Sequence, residues 1–143
     1  MKAARGTLLV LASALLLSAC ESENPLPYAG LWEYSSGTVT ELCGNDRNTV
    51  EVRGQAFIEA TDYELTLQFN GCSVVYDSPG VGNVFSTEEH FFCESMGIDI
   101  DHSELSLQGD HIDQREQGHF FDGTRCTYDL EATLVRVPAT GGP

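Results

Sequence analysis

Carboxylates and imidazoles crowd one stretch of this chain. Asp99-Ile100-Asp101-His102-Ser103-Glu104 is followed by Asp110-His111-Ile112-Asp113, so the ligand types of a divalent-cation site gather within fifteen residues. Carboxylate oxygens suit hard cations and imidazole nitrogens suit transition metals. The spacing matches neither cage. A calcium loop needs glycine at its sixth position, where this chain has Glu104, and strand alternation sends Asp99 and Asp101 to the face opposite His102. The segment is therefore expected to be the solvated face of a hairpin, with no metal and no cofactor. Covalent and acid–base chemistry fare no better, because the chain has no Gly-x-Ser-x-Gly elbow, no His-Glu-x-x-His and no phosphate-binding glycine loop. Among 22 acidic residues a pair of glycosidase type carries no information. His90 and His119, beside Phe91-Phe92 and Phe120-Phe121, read as packed or surface histidines rather than general bases. No catalytic residue is assigned and no enzyme is expected.

The elements that hold these residues are strands. Tyr63, Leu65, Leu67 and Phe69 alternate with Glu64, Thr66 and Gln68, and Cys126, Tyr128, Leu130, Ala132 and Leu134 alternate with Thr127, Asp129, Glu131 and Thr133. Period two over such lengths means one buried face and one wet face. Turn signals at Asn70-Gly71, Gly109-Asp110 and Asp122-Gly123 join the runs. The strands are placed at about 30–43, 49–60, 63–69, 72–77, 84–93, 97–101, 104–108, 111–121 and 125–137. No segment carries a sustained helical period. The expected fold is all-β, an antiparallel up-and-down meander of about eight or nine strands. A closed barrel is favoured over a sandwich because closure removes exposed edges.

The first twenty residues address the chain elsewhere. Lys2 and Arg5 precede an apolar run from Leu8 to Leu17, then Ser18, Ala19 and Cys20. The run is shorter than the roughly 20 residues that span a bilayer, and its layout is that of a secretory leader. Leu17-Ser18-Ala19-Cys20 resembles the lipobox of bacterial lipoproteins. In that family cleavage before the cysteine makes it the N-terminus, where it carries lipid on sulfur and nitrogen. The resemblance implies residues 1–19 as leader, Cys20 as the lipidation site and the bilayer as a partner. An aspartate after the cysteine holds such proteins in the inner membrane, and Glu21 stands there, so the implied place is the outer membrane with the domain facing the periplasm. Residues 20–29, polar with Pro25 and Pro27, are expected to be the tether, residues 30–137 a single domain, and residues 138–143 a disordered tail.

The whole chain carries a formal charge of −15, and its two leader cations leave five arginines and no lysine against 22 acids. Such a field repels phosphate backbones and anionic headgroups, which excludes nucleic acid and points to neutral or cationic partners. With Cys20 taken by lipid, Cys43, Cys72, Cys93 and Cys126 form an even set lacking zinc-type spacing, so two disulfides are expected. Four cysteines allow three pairings. Cys43 with Cys126 and Cys72 with Cys93 is preferred, since the first ties the earliest strand to the last and the second ties near neighbours.

Gly30-Leu31-Trp32 at the start of the first strand resembles the Gly-x-Trp signature of lipocalins and related calycins. The resemblance implies that Gly30 allows a tight turn, that Trp32 plugs one end of a barrel, and that an arginine of the last strand, Arg136 or Arg125, packs across its ring. Thr61-Asp62-Tyr63 spells a second motif of that family in the wrong place, and the family's C-terminal helix is missing. The expected function is non-catalytic binding of a hydrophobic small molecule or a peptide. The alternative is an envelope structural or interaction lipoprotein, including an inhibitor-like one, that docks a protein through its acidic surface. The lipobox reading is checked by Cys20→Ser, which is expected to leave an uncleaved precursor without acyl chains in a membrane-fraction blot and intact-mass measurement.

Overall fold

Side chains at every second strand position converge on one interior, and the strands curl around it. The computed structural model describes residues 21–139. The leader, Cys20 and residues 140–143 lie outside the described residues. A 3-10 turn at Leu26–Tyr28 leads into β1 (Gly30–Cys43), β2 (Asp46–Glu51), β3 (Gln55–Ala60), β4 (Glu64–Phe69), β5 (Cys72–Asp77), β6 (Val84–Ser86) and β7 (Phe91–Cys93). A second 3-10 turn at Glu94–Met96 precedes β8 (Ile98–Leu107), β9 (His111–Phe120) and β10 (Thr127–Arg136). The protein is all-β. Eight strands, β1-β3-β4-β5-β6-β8-β9-β10, form an antiparallel barrel closed by β10 on β1, from Trp32↔Arg136 to Leu42↔Thr127. This closure leaves the sandwich alternative aside.

Two further strands share a neighbour with a barrel strand. The 14-residue β1 pairs through Gly30–Glu33 with β3 and through Thr38–Cys43 with β2, so the single strand expected at 49–60 is broken at Val52-Arg53-Gly54. In the same way β8 pairs with β7 near its start and with β6 further on, which divides the expected strand at 84–93. Conversely, the two strands expected at 97–101 and 104–108 are one. Ile100 pairs with Gly118 and His102 with Gln117, leaving Asp101 as the extra residue of a bulge. A bulge adds one residue without ending the strand and reverses the alternation beyond it. Ile98 and Ile100 before it, and Ser103, Leu105 and Leu107 after it, therefore all point inward.

The tether expected at 20–29 is instead docked from Glu21 onward. Ser22 bridges Gly82, Glu23 N–H donates to the Gly82 carbonyl at 2.6 Å, and Gly82 N–H donates to the Glu21 carbonyl at 3.3 Å. Pro25 and Tyr28 are buried against the barrel end. Residues 138–139 continue past β10 without secondary structure.

The disulfides are Cys43–Cys126 and Cys72–Cys93, closing loops of 83 and 21 residues. Loop-closure entropy gives them roughly 4.5 and roughly 3 kcal/mol. The second does a local job as well. Between β5 and β6 the barrel is registered by one pair, Asp77↔Ser86, and at the opposite end of that seam Cys72 of β5 is linked to Cys93 of β7.

Trp32 is fully buried at the end covered by the docked segment. Its ring stacks on Tyr28 with centroids 6.0 Å apart, and its Nε1 donates to the Tyr28 carbonyl at 2.8 Å. The Arg136 guanidinium lies over the ring at 4.6 Å and donates to the Ala29 carbonyl at 3.0 Å and to that of Pro27. Gly30, at φ +128°, makes room, since a Cβ there would meet an Arg136 nitrogen at 3.1 Å. Arg136, not Arg125, is the partner. Trp32→Ala is expected to cost roughly 3–5 kcal/mol. In denaturant melts Arg136→Ala should also destabilise, non-additively with Trp32→Ala, whereas Arg125→Ala should be near neutral.

Candidate functional site

The alternation of β9 places Ile112, Gln114, Glu116 and Gly118 inside. Glu116 is thus a carboxyl group within the barrel, 7% exposed. A buried acceptor needs donors, and three reach it. Ser103 Oγ donates to Oε2 at 3.0 Å, Gln114 Nε2 to the same oxygen at 3.3 Å, and the Tyr128 hydroxyl to Oε1 at 2.9 Å. A second tier stands behind them: the Tyr34 hydroxyl donates to Gln114 Oε1 at 2.9 Å, and the Tyr76 hydroxyl meets Ser103 Oγ at 2.9 Å. Gly118 makes the approach of Tyr128 feasible. The two residues face each other across β9 and β10, and a Cβ on Gly118 would lie 2.7 Å from the Tyr128 ring.

Burial raises the Glu116 pKa above the usual carboxylate range, against the pull of its three hydrogen bonds. Burial, with the Glu116 charge nearby, also raises the hydroxyl pKa values of Tyr34, Tyr76 and Tyr128. All three are therefore neutral donors. The space left beside this network is a recess of about 40 Å³, bounded by Tyr34, Phe69, Met96, Gln114, Glu116 and Leu130 among others. Nothing in the expected site residues pointed here. The sequence signal was available in Gln114 and Glu116, which share the parity of Ile112.

On the outside, the segment singled out for cation chemistry is split. His102 Nε2 lies 3.1 Å from Glu104, and His111 lies 2.6 Å from Asp110 and 3.7 Å from Asp113. Asp99 and Asp101 turn instead to His90 and His119. His90 Nδ1 is 3.1 Å from Asp101, and His119 is 3.3 Å from Asp101 and 3.6 Å from Asp99. The bulge at Asp101 overturns the expectation that Asp99 and Asp101 face away from His102, because His102 resumes on the outer side. Among the described residues no group of three or more His, Cys, Asp or Glu side chains is arranged to hold a metal ion. A polar groove of about 550 Å³ also lies on this outer wall, bordered by Thr38, His102, Arg115, Glu116, Asp129 and Leu130 among others.

The chain matches no protein-family model, no curated protein and no solved structure.

Because the folded pKa of Glu116 lies above its unfolded value, the stability it contributes is complete below the unfolded pKa and is lost as pH rises through the folded one. Glu116→Gln keeps the shape and removes the titration. Its stability relative to the parent is expected to rise from about pH 4 upward and then level off, read by urea melts up to about pH 8. A constant difference across that range would mean that Glu116 does not titrate abnormally.

Proposed function

We propose that this chain is a lipid-anchored bacterial envelope protein whose barrel docks another protein, and that it is not a carrier of hydrophobic small molecules. The observation that carries the reading is the occupied lumen. About 40 Å³ remains beside Glu116, whereas ligand pockets measure roughly 300–1,000 Å³. What fills the lumen is this chain's own side chains, an apolar core in which Gln114, Glu116, Ser103 and three tyrosine hydroxyls are hydrogen-bonded to one another. Recognition is therefore left to the outer wall and the loops. That surface is strongly acidic, with 22 Asp and Glu in the chain, which suits a cationic or neutral protein and repels nucleic acid.

Anchoring through acylated Cys20 in the outer membrane, facing the periplasm, goes with this reading. Two disulfides suit an oxidising compartment. The docked segment adds a geometric consequence. With Glu21 and Glu23 pinned to Gly82, an acyl-bearing Cys20 would hold the barrel end close to the bilayer without a long leash.

Native mass spectrometry and solvent extraction of the domain released into its host's periplasm test the lumen. The expected result is the bare polypeptide mass, together with a protein cross-linked to the outer wall. A stoichiometric hydrophobe freed only by unfolding would overturn the docking reading.

A further inference from the structure

The outer face of β7, β8 and β9 combines two features that a solvated wall does not need. Phe92 of β7 stands opposite Asp99 of β8, which stands opposite His119 of β9, and Phe121 follows directly after β9. The Phe92 and Phe121 rings meet with centroids 4.3 Å apart at 56°, yet the two residues are 56% and 55% exposed. Such contact geometry belongs to a packed core, and here it faces water. Next to the rings lies an unsatisfied acceptor. Asp99 Oδ1 is buried and has no hydrogen-bond partner, its nearest basic atom being His90 Nδ1 at 3.9 Å. Leaving a buried carboxylate oxygen without a donor is costly. The His90 side chain is 67% exposed and lies beside both carboxylates, its Nδ1 3.1 Å from Asp101. Among the described residues the only basic groups within 4.0 Å of Asp99 and Asp101 are the rings of His90 and His119.

We propose that this patch is the docking point for an arginine side chain of a cationic protein partner. Two neighbouring carboxylates match the fork of a guanidinium, and its flat face can lie on the Phe92–Phe121 pair. Lysine offers the charge without the plane. The complementarity is set by this chain's own charge, −15 overall, with Asp101, 40% exposed, and Asp99 beside the exposed rings marking where on the acidic surface a guanidinium would sit. The assignment rests on the protein-docking reading and gives it a location.

The test uses the isotope-labelled processed chain titrated with a capped tetra-arginine peptide and its tetra-lysine counterpart. With tetra-arginine, shifts are expected to concentrate on Phe92, Asp99, Asp101, His119 and Phe121. Asp99→Asn and Phe121→Ala should each weaken binding by about threefold or more. Asp62→Asn, the same charge change on the remote β3–β4 turn, should do little. Phe121→Ala removes an exposed ring, so its fold is expected to persist, and the amide spectrum verifies that. Shifts spread evenly over the acidic surface, or equal losses at Asp62 and Asp99, would overturn the proposal. So would tetra-lysine binding as tightly as tetra-arginine, or Zn²⁺ alone moving His90 and His119 while the peptide leaves them still. A lumenal hydrophobe would sink the docking reading as a whole, whereas evenly spread peptide shifts remove only this face.

Discussion

A carboxyl group inside a barrel has to be surrounded by donors, and Glu116 organises the lumen on that condition. Ser103 of β8, Gln114 of β9 and Tyr128 of β10 reach it directly, and Tyr34 of β1 and Tyr76 of β5 brace those contacts. Five of the eight barrel strands are thereby tied to one side chain. Hydrogen bonds are directional where apolar contacts are not, so the network favours one register of those strands over slipped alternatives. It also spends the space a guest would need. The same interaction thus sets the packing of the barrel and occupies its interior.

The two ends of the barrel are treated differently. At one end Tyr28, Trp32 and Arg136 form a layered plug, closed further by the chain before β1. At the other, Phe69, Met96 and Leu130 border the small recess, and the β1–β2 hairpin extends past it with β2 exposed along its whole length. Apolar surface is buried where the chain enters, and polar backbone is displayed where it does not.

Much of this was legible in the residues, for identifiable reasons. Strands such as β4 and β10 are dry on one side and wet on the other, so their alternation is plain in the sequence. The cysteines could be paired because the first strand must meet the last in a closed meander. Gly30, Trp32 and Arg136 were found through a motif whose parts pack on one another. Three things were hidden. The bulge at Asp101 looks like a strand end, because one extra residue breaks the period just as a turn would. The breaks at Val52-Arg53-Gly54 and between β6 and β7 depend on which neighbour a long strand pairs with, which is a tertiary fact. Glu116 was overlooked because in an acidic chain an inward carboxylate reads as one more surface charge. The segment 21–29 was misjudged by composition, since its prolines stiffen a docked strap as readily as an open linker.

The seam between β5 and β6 is held differently from the rest of the barrel. Every other junction of the cylinder is zipped by three or more registered pairs, but here one pair stands at one end and a covalent bond at the other. The cylinder is thus zipped at seven of its eight junctions and pinned at the eighth, where Cys72–Cys93 supplies with one covalent bond the restraint that a ladder of hydrogen bonds supplies elsewhere.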